Sequence, residues 1–118
     1  MKSRKPRAQF RLRISSGDDI AVGPGKIDLL EAIGETGSIT AAARSLGMSY
    51  RRAWLLVDTM NHCFKSAVVE AETGGTRGGG TRLTATGERV VQLYRRVEVK
   101  AQAVSATDLK ALQKLLRS

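Results

Sequence analysis

The chain has 118 residues, with 20 Lys and Arg against 11 Asp and Glu and a formal net charge of +9. That length suits one domain with a modest core, and the charge favours a polyanionic partner, nucleic acid ahead of a membrane surface. No run approaches the roughly 20 apolar residues of a spanning helix, a single cysteine (Cys63) excludes an intrachain disulfide and a cysteine-built zinc site, and the basic stretch Met1 to Arg13 lacks the apolar core and cleavage site of a signal peptide.

The expected location is therefore the cytoplasm, with no membrane partner and no cofactor. Lys2, Arg4, Lys5, Pro6 and Arg7 make residues 1–8 a basic arm, or a solvated tail without a role. Phe10, Leu12 and Ile14 alternate with Gln9, Arg11 and Arg13 in the period of a half-buried strand. A turn at Ser16-Gly17-Asp18-Asp19 returns the chain as Ile20-Ala21-Val22, and Gly23-Pro24-Gly25 closes this unit and opens a helix.

From Lys26, the apolar residues Ile27, Leu29, Leu30, Ala32 and Ile33 recur at helical spacing, with a stop in Gly34 to Gly37. Ser38 is a good N-cap for a short second helix through Ile39, Ala42, Ala43 and Leu46, ended by Gly47. Ser49 caps a third helix, with Ala53, Leu56, Val57 and Met60 as its apolar stripe and Cys63 as a small core residue. Strand character follows in Val68 to Thr73, then a glycine-rich stretch to Gly80, then Thr81 to Thr84, which together read as a β-hairpin with a long tip. Thr84 or Thr86 starts a long helix whose Val90, Tyr94, Val97, Ala101 and Val104 alternate four- and three-residue steps, the seam of two helices packed side by side. Ser105 is read as the cap of a last amphipathic helix with Leu109, Leu112, Leu115 and Leu116.

The segment Ile39 to Asp58 is the most informative. A helix-turn-helix needs a small residue where its helices cross and a glycine four residues later, at a turn with positive φ; Ala43 and Gly47 fill these positions. Ala42, Leu46, Met48, Ala53 and Leu56 fall where the two helices face each other. The plain alternative is an αα-hairpin of a helical bundle, which the hairpin and the charge that follow argue against. The expected fold is mainly α with small β-hairpins: a winged helix-turn-helix over residues 9–84 and C-terminal dimerisation helices over 85–118.

On such a fold the early outward face of the third helix enters the major groove N-terminus first. Arg51 and Arg52 are the candidates for reading guanine, or alternatively for holding phosphate. Trp54 reads as a packing residue rather than a base-stacking one, and Tyr50 is open to either. The glycine-rich loop lacks the Gly-Lys-Ser/Thr ending of a P-loop; it suits a wing, with Arg77 and Arg82 supplying charge, or a merely flexible hairpin. The candidate DNA-contacting set is Ser38, Thr40, Ser49, Tyr50, Arg51, Arg52, Arg77 and Arg82. No catalytic or metal site is expected: His62 stands alone, Asp18 and Asp19 form a turn pair, and Glu70 and Glu72 share a solvated strand face.

The run Gly37-Ser38-Ile39-Thr40-Ala41-Ala42-Ala43-Arg44-Ser45-Leu46-Gly47-Met48-Ser49-Tyr50-Arg51-Arg52-Ala53-Trp54 resembles the DNA-binding domain of ModE-type molybdate-responsive regulators, relatives of the LysR-type winged-helix proteins. The likeness continues through Val69-Glu70 and the glycine loop into Leu83-Thr84-Ala85-Thr86-Gly87, and covers about Phe10 to Val104. It implies double-stranded DNA as partner and a homodimer held by the long helix after the wing together with the N-terminal elements. Family members that sense molybdate do so through C-terminal oligobinding modules; this sequence reaches Ser118 without them, so molybdate binding by this chain alone is not expected. The functional expectation is a dimeric, sequence-specific DNA-binding transcription regulator, with molybdenum-related genes as its setting. The alternative is a winged-helix protein-interaction or dimerisation module that binds DNA weakly.

Overall fold

Pro24 fixes the first helical φ and Gly37 closes the helix in the left-handed region at φ 69, so α1 runs Pro24–Thr36. Its buried residues, Ile27, Leu29, Leu30, Ala32 and Ile33, are the centre of the core. The stop is Gly37 alone: Gly34 is helical and open enough to let Leu83 of the later hairpin lie close over it. The computed structural model describes residues 5–72 and 80–117.

Around α1 the other elements follow in the expected order. A hairpin of β1 (Ile14–Ser16) and β2 (Asp19–Val22) precedes it, antiparallel with an irregularity between Ile14 and Ser15. The alternation that suggested a strand from Phe10 is realised only from Ile14. Leu12 still packs on the core, but its carbonyl accepts a 2.7 Å hydrogen bond from the Tyr94 hydroxyl rather than from a neighbouring strand. Two short helices follow, α2 (Ile39–Ser45) and α3 (Tyr50–Cys63), then β3 (Val69–Glu72) and β4 (Gly80–Leu83) as a second antiparallel hairpin.

The chain ends in α4, Ala85–Lys114, one continuous helix of 30 residues. Ser105 is therefore not a cap. It sits in the interior of a helix whose preceding and following turns carry neither proline nor glycine, so nothing breaks the backbone hydrogen bonding there. The actual cap is Thr84, whose hydroxyl accepts from the Gly87 amide and donates to the Ala67 carbonyl.

Two ties fix α4 to the domain. Gly87 passes so close to β3's approach that a Cβ there would stand 2.1 Å from the Val68 carbonyl oxygen. Arg95 gathers Asp28 and Glu31 of α1 together with Glu98 of its own helix, and the Glu31 hydrogen bond is the foremost reason its pKa is raised further. Beyond Arg95 the helix keeps only the N-terminal segment beside it, Phe10, Arg11 and Leu12 lying next to Val97, Glu98 and Ala101. The proposed seam is thus divided: Val90 packs on the core and Tyr94 is buried in it, whereas Val97 is half exposed and Val104 is 85% exposed. Cys63 is half-buried rather than a full core residue.

Candidate nucleic-acid interface

The helix-turn-helix is built from small residues. Ala42, Ala43 and Ala53 are fully or nearly fully buried, so the axes of α2 and α3 approach without bulky side chains between them. Gly47 takes φ 69 at the turn, and the Met48 amide reaches back to the Ala43 carbonyl at 3.0 Å. Met48 and Leu56 are half-buried against the core. Leu46 differs from expectation: it is 38% exposed, because the helix has already ended at Ser45 and Leu46 occupies the C-cap, outside the face that α3 covers.

Both predicted serine caps are made. Ser38 Oγ accepts from the Ala41 amide and Ser49 Oγ from the Arg52 amide, each at 3.1 Å. An N-capping hydroxyl used as acceptor keeps its own proton, which can be donated to a phosphate oxygen. Ser38, Thr40 and Tyr50 come together in one open recess of about 260 Å³, lined also by Gly37, Ile39, Gly80 and Thr81. The recess exists because the Thr81 amide donates to the Gly37 carbonyl at 3.0 Å, fastening the second hairpin against the turn between α1 and α2. Gly80 allows that approach, since a Cβ there would lie 2.9 Å from the same carbonyl. Among the described residues the buried Thr81 hydroxyl oxygen has no hydrogen-bond partner.

Arg51 and Arg52 occupy the exposed first turn of α3. Among the described residues no carboxylate pairs with either, nor with Arg44 on α2. Arg82 differs: its guanidinium meets Glu70 across the hairpin, Nη2 at 2.6 Å and Nε at 2.9 Å, so part of its charge is already answered. Glu70 is accordingly an ion-pair partner and not simply solvated. Arg77 lies outside the described residues.

Sequence reasoning missed two residues. Asn61 accepts from the Val68 and Val69 amides and donates to the Val69 carbonyl, which locks the hairpin to the flank of α3; nothing in its sequence context marks it. Trp54, read as packing, is 47% exposed. The inward stripe is filled by Ala53, Val57 and Met60, and the indole falls to its side. Among the described residues no three His, Cys, Asp or Glu side chains cluster to hold a metal ion, and no helix is long and apolar enough to cross a membrane.

Two crossed short helices joined through a left-handed glycine, with a hairpin pinned beside the second of them, define a winged helix-turn-helix protein. The chain belongs to the lysR family of bacterial regulatory helix-turn-helix proteins, whose model matches residues 25–88, from the start of α1 into the first turn of α4. It is similar to the molybdenum transport protein ModE of Azotobacter vinelandii (37% identity, 93% of this chain and 46% of that one). It is also similar to the molybdenum-pterin-binding protein MopB of Rhodobacter capsulatus (42% identity, 77% and 34%). A third relative is the DNA-binding transcriptional dual regulator ModE of Escherichia coli strain K12 (38% identity, 75% and 34%). The chain thus spans between a third and a half of the length of these relatives.

Proposed function

We propose that the chain is a cytoplasmic, non-enzymatic regulator that binds duplex DNA sequence-specifically as a dimer, at genes connected with molybdenum. The observation that carries this reading is the pair of exposed arginines, Arg51 and Arg52, on the first turn of a helix braced by Ala43 and Gly47. A helix presented this way enters the major groove with its first two turns against the base edges, where an arginine offers two donors to guanine. The caps Ser38 and Ser49, with Thr40, would sit against the phosphates and set the register. The setting is supported by the relatives, whose names carry molybdenum and, in the Escherichia coli protein, DNA-binding regulation.

Dimerisation is supported by the C-terminal half of α4, which keeps Val104 and Leu112 exposed. No molybdate site is assigned to these 118 residues, and the melting temperature is expected to stay unchanged with molybdate or tungstate.

Anisotropy titration against genomic fragments tests the reading. A subset of fragments is expected to bind far above background, and Arg51→Ala or Arg52→Ala is expected to reduce that preference by about 5- to 150-fold, corresponding to roughly 1–3 kcal/mol per bidentate contact. Binding that ignores sequence and does not change in either variant would remove the reading.

A further inference from the structure

We infer that Tyr50, Trp54 and Leu55 form an apolar reading surface for thymine methyl groups, so that the duplex this chain selects carries A·T pairs opposite the second turn of α3. The inference rests on the DNA-binding reading above and adds to it the chemistry of the bases read. These three side chains are 53%, 47% and 48% exposed, on a helix whose core contacts are made by other residues.

Helical spacing places Tyr50 and Trp54 one turn apart on the flank that also carries Asn61, the side of the hairpin. Leu55 lies one turn after Arg51, at the outermost line of the helix. Large apolar side chains grouped on a surface mark a contact made with something else. Here the group is interleaved with Arg51 and Arg52, with no acidic residue in the first two turns of α3, so its occupant is a polyanion that also presents apolar spots. The major groove meets both conditions: phosphates line it, and the thymine C5-methyl is the one apolar group that base edges expose there.

The test begins with the duplex that the 118-residue chain selects best from a library. Each thymine is then replaced singly by uracil, which keeps base pairing and removes only the methyl. At one or two positions in each half-site the dissociation constant is expected to rise about three- to fivefold, the value of one buried CH₂-sized group. Trp54→Ala should bind more weakly and lose that uracil penalty, while Trp54→Phe should retain part of it. Trp54 is the only tryptophan, so its emission should change on adding the selected duplex and change less with the uracil form. Melting temperatures of the variants, expected to be near that of the parent, separate a lost contact from a lost fold.

If the selected duplex binds tightly with no uracil penalty anywhere, the proposal is overturned and the DNA-binding reading stands. The same holds if Trp54→Ala keeps both affinity and penalty, which would leave the patch to a protein partner. Absence of any preferred duplex would end both readings together.

Discussion

Asn61 holds Val69 from both sides: its Oδ1 accepts from the Val69 amide at 3.2 Å and its Nδ2 donates to the Val69 carbonyl at 3.1 Å. The same Oδ1 takes the Val68 amide at 2.8 Å. One side chain on α3 thereby fixes where β3 begins, and with it the distance between the helix and the hairpin that flank the candidate groove. Asn61→Ala leaves two part-buried amides without an acceptor, at about 1–3 kcal/mol each if water does not replace it. We expect a loss of about 2–3 kcal/mol in urea denaturation, together with weaker DNA binding through a displaced wing. A variant as stable as the parent would show that the hairpin is held by its strand pairing alone.

Gly87 gives a sharper steric test. Its ordinary helical backbone makes no conformational demand for glycine, yet Gly87→Ala would drive a methyl group to 2.1 Å from the Val68 carbonyl oxygen, a backbone atom with no free rotation to yield. The expected loss is about 3 kcal/mol, the upper part of the range for overpacking. Gly25→Ala is the matched control. It lies in the first turn of α1 with nothing within 4 Å of the added atom, and should gain about 0.5 kcal/mol from helix propensity. Opposite signs in thermal melts of the two variants are the result to look for.

Tyr94 links the N-terminal segment to α4 across 82 residues of sequence through its bond to the Leu12 carbonyl. Tyr94→Phe should lose about 1 kcal/mol and speed hydrogen exchange around Leu12. Burial, with Glu98 second, pushes the Tyr94 pKa above its ordinary 10.0. The folded state therefore keeps its proton at a pH where the unfolded state releases it. That contribution is fully present below pH 10 and is lost as pH rises through the higher folded value. In Tyr94→Phe the fall in stability above pH 10 should be shallower than in the parent; equal slopes would dismiss the linkage.

These residues also show what sequence could and could not disclose. Ser38, Gly47 and Ser49 were legible because each does a local backbone job that few residue types can do: two caps and one left-handed turn. The inward stripe of α3 was legible for the same local reason, a 3.6-residue period. Asn61 and Gly87 act on Val68 and Val69 through tertiary proximity, which no periodicity encodes. Trp54 was misread because large apolar residues are usually buried, and only the finished register of α3 shows that Ala53 and Val57 already fill the inward face. Ser105 was misread as a cap because serine favours helix starts, a weak preference that an uninterrupted helix overrides.

The divided seam of α4 predicts how a dimer would come apart. Val90 and Tyr94 pack on their own domain, so a charge at Val90 should damage the fold of each protomer. Val97 is half covered by its own protomer beside Leu12 and Tyr94, whereas Val104 is 85% exposed in the single chain, so Val104→Glu should leave the melting of the protomer nearly unchanged while setting like charges against each other across the two-fold axis. Sedimentation should then show a dimer for the parent and a monomer for Val104→Glu. Affinity for a duplex with two half-sites should fall by about 100-fold or more as the second contact ceases to be intramolecular, whereas affinity for a single half-site should hold. A parent that already sediments as a monomer at micromolar concentration would place the outer half of α4 in some other contact and remove the two-half-site geometry.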